Sequence, residues 1–263
     1  MKKSIVALLA LGAMSVGSSQ AALVAHYTFD GTFDDASGFG NNGSPVNGAS
    51  LSADAAPGFA GGQSLFLTDG QQHVLVPHND SLNMTETLTV TAWVKTQGNA
   101  WEGLLAKNPS DGSLLNHAGN YEVRIENVSN QLNFLYQRGG DNDTATPISN
   151  TPLAVVGANE WIHVAVSVEQ IGDTPGEVKY YTNGVLADTK PIEVGFGATN
   201  TNPLYIGSRA DLFTQFNGNI DDLRIYNTVL SQGEIAATMA VPEPSTGVLA
   251  LLGTLLVGFR RKR

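Results

Sequence analysis

Short runs in which apolar and polar residues alternate recur along the central part of the chain, and this pattern predicts β-strands. The clearest runs cover 88–96, 161–168 and 218–227. Asn183-Gly184 separates two further runs within 178–187 and predicts a β-hairpin with a type I′ turn. The remaining predicted strands cover 23–29, 64–67, 73–76, 101–107, 121–125, 131–136 and 204–207. Many short strands between turn residues predict an all-β sandwich or barrel.

The last predicted strand carries two adjacent carboxylates. Strict alternation places Asp221 on the same face as Leu223 and Ile225, and places Asp222 on the opposite face. A carboxylate that points towards a core needs hydrogen-bond donors or a cation. Asp221 is therefore expected either to bind a metal ion or to accept hydrogen bonds from backbone amides.

Helix is predicted only after this strand, and one long connection precedes it. Residues 228–240 could form a short helix in which Ser231 is the N-cap and Glu234 completes a capping box. Residues 141–159 are polar, contain two prolines and are expected to form a long connection.

Charge is distributed unevenly along the 263 residues, whose net charge is −10. Basic residues cluster at both ends, and the body between them is strongly acidic. Nucleic acids and anionic membrane surfaces would be repelled by such a body, whereas cations, neutral glycans and basic surfaces would not. Cysteine is absent, which excludes disulfide bonds and thiol chemistry.

The N-terminal segment, residues 1–21, has the composition of a secretory signal peptide. Two lysines precede an apolar run at 5–16 and small residues at 17–21, so cleavage is expected after Ala21. The alternative is a short membrane anchor, but the apolar run is shorter than the roughly 20 residues that a spanning helix needs.

The C-terminal segment, residues 241–263, combines Pro242-Glu243-Pro244, an apolar run at 247–259 and a basic end at 260–263. A helix over that run would be about 20 Å long, less than the ~30 Å hydrocarbon core. This order of features resembles the PEP-CTERM sorting signal. The resemblance implies transient association with the inner membrane, removal by an exosortase, and delivery to the envelope surface or the exterior. A permanent single-span anchor is the alternative.

Four motifs between these segments carry a family resemblance. They are His-Tyr-Thr-Phe-Asp-Gly at 26–31, Trp-Ile-His-Val-Ala-Val at 161–166, Tyr-Tyr-Thr-Asn-Gly-Val at 180–185 and Ile-Asp-Asp-Leu-Arg-Ile-Tyr-Asn at 220–227. In this order they resemble the laminin G-like, concanavalin A-like domains of bacterial secreted proteins. The resemblance implies one two-sheet antiparallel jelly roll, for which we expect the boundaries 22–240.

Relatives in this family often hold a structural calcium ion where the first and last strands meet a loop carbonyl. Transferred to this chain, the resemblance implies a calcium site formed by Asp30, the carbonyl oxygen of Gly70, and Asp221. The loop at 30–43 is rich in oxygen-bearing side chains and glycine, which suits calcium and equally suits an ordinary turn-rich loop.

Catalytic motifs are missing from the sequence. Glucanases of the concanavalin A-like type carry Glu-x-Asp-x-x-Glu, and this spacing does not occur here. Glu122 and Glu126 flank Arg124 and share its face of a strand, where a solvated ion-pair ladder is expected rather than a catalytic dyad. The five histidines lack zinc-site spacing. We therefore expect no enzymatic activity.

Binding is the expected use of this scaffold. Trp101, Tyr121, Tyr136 and Phe213 could stack on sugar rings, although aromatic residues of sandwiches also fill cores. The sequence thus favours an exported, non-enzymatic module that binds carbohydrate, such as exopolysaccharide, or another polymer of the extracellular matrix. The alternatives are a structural matrix protein with protein partners and a divergent glycoside hydrolase.

Overall fold

The protein folds into two antiparallel β-sheets with one short helix. The computed structural model describes residues 22–59, 61–68, 70–97, 101–108, 119–126, 131–137, 144–145, 148–152 and 159–240. The signal peptide predicted at 1–21 and the sorting segment predicted at 241–263, including Pro242, Glu243 and Pro244, lie outside these ranges. No helix within them is long and apolar enough to cross a membrane.

Each sheet has eight strands within the described ranges. Sheet 1 contains β1 (Leu23–Tyr27), β3 (Ser50–Ser52), β4 (Ser64–Leu67), β6 (Thr87–Thr96), β12 (Ile162–Glu169), β13 (Gly176–Thr182), β14 (Val185–Ile192) and β16 (Gly218–Tyr226). Sheet 2 contains β2 (Ser44–Val46), β5 (His73–Val76), β7 (Glu102–Ala106), β8 (Glu122–Glu126), β9 (Gln131–Gln137), β10 (Thr144–Ala145), β11 (Ile148–Pro152) and β15 (Leu204–Ile206). A 3₁₀ turn (Asp80–Leu82) and helix α1 (Gln232–Ala237) complete the chain.

Both sheets combine hairpin-connected neighbours with neighbours that are distant in sequence, such as β6 and β16 or β7 and β15, as expected for a jelly roll. The order in sheet 1 is β14-β13-β12-β6-β16-β4-β3, with β1 also paired to β16. The order in sheet 2 is β10-β9-β8-β7-β15-β5-β2, with β11 also paired to β9. The first and last strands of the domain therefore lie side by side, which confirms the predicted all-β, two-sheet class.

One hydrophobic core lies between the sheets. Alternate residues of β6, including Val90 and Val94, meet Val123 of β8 and Phe134 of β9, and all are buried. Intervening residues point away from this core, as period-two alternation requires. At the rate of about 25 cal/mol per Å² of apolar surface removed from water, this interior dominates the stability of the fold.

Local signals in the sequence were accurate at the hairpin and the helix. Asn183 and Gly184 both have positive φ angles, 49° and 74°, as a type I′ turn requires. Ser231 and Glu234 form both halves of the predicted capping box at the start of α1. The helix packs on the hairpin turn, where a Cβ atom at Gly184 would lie 3.1 Å from the Cβ of Ala236.

A β-bulge interrupts β16, and it makes the predicted facing of Asp221 wrong. Asp221 pairs with Trp93 and Arg224 pairs with Thr91, so two residues of β16 oppose one residue of β6. Asp222 occupies the bulge with a φ of 48°. The core-facing residues of β16 are Ile220, Leu223 and Ile225. Asp221 is consequently buried on the other face, because the extra residue shifts the alternation after it.

Candidate functional site

The predicted metal site is built in part. Asp221 accepts backbone hydrogen bonds from Asp222 (2.7 Å) and Ala56 (2.8 Å), and Asp30 accepts one from the amide of Gln63 (2.7 Å). The loop that joins β3 to β4 supplies two of these amides and therefore connects the carboxylates. Asp30, Phe59, Gln63 and four glycines line an adjacent cavity of about 570 Å³. The structure thus brings Asp30 and Asp221 together.

Gly70, the third predicted ligand, lies elsewhere. It follows the end of β4 at which Leu67 pairs with Gly218, whereas Gln63, the partner of Asp30, precedes the opposite end of β4. The carbonyl oxygen of Gly70 is therefore not brought to the two carboxylates. Within the described ranges, no group of three or more His, Asp or Glu residues converges as a metal site.

The two carboxylates nevertheless suit a calcium ion. Burial raises the pKa of Asp221 to about 7, and the charges of Asp222 and Asp30 act in the same direction. A divalent cation would compensate this buried negative charge, with loop carbonyl oxygens completing the oxygen ligands that calcium prefers. Asp30 and Asp221 are the side chains that would hold the ion, and its role would be to fasten the β3–β4 loop to β16.

We propose calcium as the ion for these residues, and its binding would stabilise the fold. A ligand present at about 100 times its Kd adds about 2.7 kcal/mol, which corresponds to a rise in Tm of about 5–10 °C for a domain of this size. Asp221→Ala should remove the rise, whereas Asp34→Ala, in the same loop as Asp30 but exposed and bonded to Thr32, should keep it. Scanning calorimetry with calcium or EDTA measures both. An equal rise in Asp221→Ala would contradict the site.

The four candidate aromatic residues fall into two pairs. Tyr121 and Tyr136 are fully buried in the core between the sheets. Trp101 and Phe213 lie outside it, and each makes a cation–π contact with an arginine. The Cζ of Arg124 is 4.3 Å from the centroid of the Trp101 ring, and the Cζ of Arg209 is 5.3 Å from the centroid of the Phe213 ring. Only Trp101 and Phe213 are therefore placed where a ligand could reach them.

These two rings border a polar cluster on the face of sheet 2 that points away from the core. Val123 and Ile125 of β8 face the core, so Glu122 and Arg124 face outwards. Arg124 lies opposite Asn133 of β9 in the strand register. We name this group, together with Trp101, Arg209, Asp211 and Phe213, the Arg124 cluster. It places two cations, two carboxylates and an amide between two aromatic rings.

Glu122 forms the floor of the Arg124 cluster. It is 0% exposed, so the predicted solvated ladder is wrong: the glutamate shares the face of Arg124 but is shielded from water. Burial raises the pKa of Glu122 to about 7, although Arg124 and Arg209 pull it down. Glu122 forms an ion pair with the Nη1 of Arg124 at 3.5 Å, a distance too long for a strong hydrogen bond.

Unpartnered polar atoms concentrate at this cluster. Among the described residues, both carboxylate oxygens of Glu122, both amide atoms of Asn133 and the Nε of Arg124 are buried without a hydrogen-bond partner. The buried hydroxyls of Ser208 and Thr214 are also unpartnered, and both residues pack against Gly103, which neighbours Arg124 in the register. Buried polar groups of native proteins are nearly always satisfied, so this concentration indicates water or a ligand.

The sequence does not predict these buried polar groups. Its pattern indicates a solvated ion pair for Glu122 and does not single out Asn133, Arg209 or Asp211. The alternation of 121–125 and 131–136 contains the signal, since the outward residues Glu122, Arg124, Gln131 and Asn133 are polar and only Leu135 is apolar.

Comparison with known proteins agrees with this fold. Residues 68–236 match the family model described as concanavalin A-like lectin/glucanases superfamily. The chain belongs to this superfamily. Residues 240–263 match the PEP-CTERM protein-sorting motif, which confirms the predicted sorting signal. Such a signal indicates export to the cell envelope.

Individual relatives are distant. A curated relative, adhesion G-protein coupled receptor V1 of Danio rerio, is 20% identical over 149 residues, which are 56% of this chain and 2% of the receptor. The binding domain of Paraclostridial Mosquitocidal Protein 1 superposes with a TM-score of 0.63 at 16% identity, covering 83% of this chain and 52% of that one. Such similarity establishes the fold alone.

A further solved structure is matched over almost its whole length. It is domain 4 of AbnA, a GH43 extracellular arabinanase from Geobacillus stearothermophilus, in complex with arabinotriose. Its TM-score is 0.60 at 19% identity, and the match covers 83% of this chain and 98% of that one. Apart from this domain, the chain spans about half of the Mosquitocidal Protein 1 structure and a small fraction of the receptor.

Proposed function

We propose that this protein is an exported, non-enzymatic module that binds a glycan at the Arg124 cluster. The observation that carries the proposal is the concentration of buried, unpartnered polar atoms between Trp101 and Phe213. Sugars offer hydroxyl groups to such atoms and apolar ring faces to aromatic side chains. A site with both features suits a carbohydrate better than it suits a purely apolar ligand or a metal ion.

Similar structures support the same class of ligand. The AbnA domain was determined with arabinotriose, and the botulinum neurotoxin type C structure, with a TM-score of 0.58 at 16% identity, concerns cell entry dependent on two ganglioside molecules. Exposure also supports binding, since Phe213 is 67% exposed at the edge of the cluster. A large exposed ring beside an arginine is a common element of recognition surfaces.

The two glutamates of β8 are not spaced as a glycosidase pair. Glu122 and Glu126 are four residues apart on β8, which places their Cα atoms about 13 Å apart. Glycosidases hold their two carboxyl groups about 5–10 Å apart across the scissile bond. This separation supports binding rather than hydrolysis.

Cellular context follows from the sorting signal. We propose that an exosortase processes the segment at 240–263 after export, and that the module then acts on exopolysaccharide or another matrix polymer at the envelope. The acidic body would be repelled by anionic lipid and nucleic acid, which leaves neutral polymers among the partners that suit it.

A glycan array with the purified chain tests the proposal. We expect binding to at least one matrix polysaccharide, and we expect Trp101→Ala or Phe213→Ala to weaken it by about tenfold, since stacked aromatic residues contribute on the order of 1 kcal/mol or more. Phe39→Ala provides the matched control, because Phe39 is also an exposed phenylalanine but lies on the loop that follows Asp30. Silence across matrix polysaccharides would contradict the proposal.

A further inference from the structure

The charges of the Arg124 cluster are balanced internally. The guanidinium of Arg209 binds both carboxylate oxygens of Asp211, through Nε at 2.8 Å and through Nη2. Arg124 is paired with Glu122 at 3.5 Å, and the charge of Glu126 also acts on it. Each described cation of the cluster therefore already faces a carboxylate. An anionic ligand would have to displace these partners and approach Glu122, at a cost in desolvation and repulsion.

The unpartnered atoms specify the complementary chemistry. When Glu122 is ionised, both of its oxygens need donors, and the amide of Asn133 offers one acceptor and two donor hydrogens. Adjacent sugar hydroxyls can donate to a carboxylate while accepting from an amide, as neither a carboxylate nor a sulfate group can. The hydroxyls of Ser208 and Thr214 add two groups able to donate or accept.

Arg124 is the neighbour of Glu122 and Asn133 that reaches the surface. Its side chain, 14% exposed, lies between Glu122 and Asn133 in the strand pattern, and its Nε has no described hydrogen-bond partner. It is held by its stacking on Trp101 and by the ion pair with Glu122. A sugar ring that replaced the guanidinium on Trp101 would reach both buried groups, and Arg124 would keep a carboxylate neighbour in Glu126.

We infer that the ligand of this site is a neutral glycan bearing adjacent free hydroxyl groups, recognised by Glu122 and Asn133 with a ring stacked on Trp101. This inference rests on the proposed glycan binding and narrows it to uncharged sugars. It excludes uronic-acid and sulfated polymers as the preferred ligands, even though an exported protein would meet both in a matrix.

Isothermal titration calorimetry with size-matched probes tests the inference. We expect the purified chain to bind at least one of the neutral probes arabinotriose, cellotriose and maltotriose, and to bind trigalacturonate at least tenfold more weakly. Glu122→Gln and Asn133→Ala should each weaken neutral binding by about tenfold or more, because each removes hydrogen bonds to a buried group. Glu102→Gln should leave it unchanged: Glu102 is equally buried, but its carboxylate is bonded to Thr96 and Asn217.

The outcomes distinguish a failure of the inferred ligand class from a failure of glycan binding itself. Stronger binding of trigalacturonate, with an affinity that falls as salt is added, would overturn the neutral class and leave glycan binding intact. Neutral binding unchanged in both Glu122→Gln and Asn133→Ala would overturn the assigned recognition pair. Circular dichroism of each variant verifies folding. Failure of all probes, together with silence on the polysaccharide array, would overturn the proposed function itself.

Discussion

The free energy of unfolding is expected to fall by about 3 kcal/mol between pH 4.5 and pH 8 through Glu122 alone. Burial raises the pKa of this carboxyl group from its ordinary 4.5 to about 7, so the folded state keeps a proton that the unfolded chain releases. The contribution of Glu122 to stability is therefore fully present below pH 4.5 and is lost as pH rises to about 7. Above that pH it no longer changes. Urea unfolding of the wild type and of Glu122→Gln at several pH values, with EDTA present, isolates this decline from those of Glu102 and Asp221, whose pKa values burial also raises to about 7.

Glu122→Gln is expected to remove this contribution. Relative to the wild type, the variant should gain about 3 kcal/mol of stability as pH rises from 4.5 to 8, because an amide does not ionise. Glu102→Gln offers the matched comparison, since burial raises the pKa of Glu102 to about 7 as well. Only Glu122→Gln should also affect glycan binding. Parallel pH profiles for the wild type and Glu122→Gln would show that this carboxyl is not held in a buried site.

Removal of the Tyr136 side chain is expected to cost about 3–5 kcal/mol. The ring is fully buried, packs against Phe134 (5.9 Å between centroids) and Phe196 (5.7 Å), and donates its hydroxyl hydrogen to the carbonyl of Glu193 at 2.9 Å. Tyr136→Ala leaves a large cavity that a two-sheet core cannot collapse to fill. Thermal and urea unfolding measure the loss.

Phe213→Ala is the contrasting substitution. Because this ring is mostly exposed, its loss should change stability by less than about 0.5 kcal/mol. Tyr136→Phe should cost only about 1 kcal/mol, the contribution of one hydrogen bond. A Phe213→Ala variant that is as unstable as Tyr136→Ala would contradict the division of the candidate aromatic residues into a core pair and a surface pair.

Strand positions were predictable because the core selects for alternation. The predicted runs at 64–67 and 73–76 coincide with β4 and β5, and Asn183-Gly184 fixed the β13–β14 hairpin through its backbone preferences. Four strands escaped: β2 and β3 are three residues long, and β10 and β11 lie in the polar connection at 141–159. Pairing with a longer neighbour holds each of these in the sheet, and a local pattern does not report that pairing.

The site was less predictable, because it depends on strand order and on a bulge. The bulge at Asp222 puts Asp221 on the face opposite to Leu223, where strict alternation would put the two on one face. No residue type in the sequence marks this bulge. The proximity of Asp30 and Asp221 came from the family resemblance, since their amide donors lie in a third segment. The burial of Glu122 and its relation to Asn133 emerge only when β8 and β9 are placed together.

The most direct test of glycan binding at the Arg124 cluster uses the three tryptophans as reporters. Trp101 belongs to the cluster, whereas Trp93 contacts His163 on sheet 1 and Trp161 donates to Asp54. Titration with whichever of arabinotriose, cellotriose and maltotriose binds, followed by NMR of the indole N–H resonances, should shift the Trp101 signal and leave those of Trp93 and Trp161 in place. A saturable shift confined to Trp93 or Trp161 would place the ligand elsewhere and contradict the assignment.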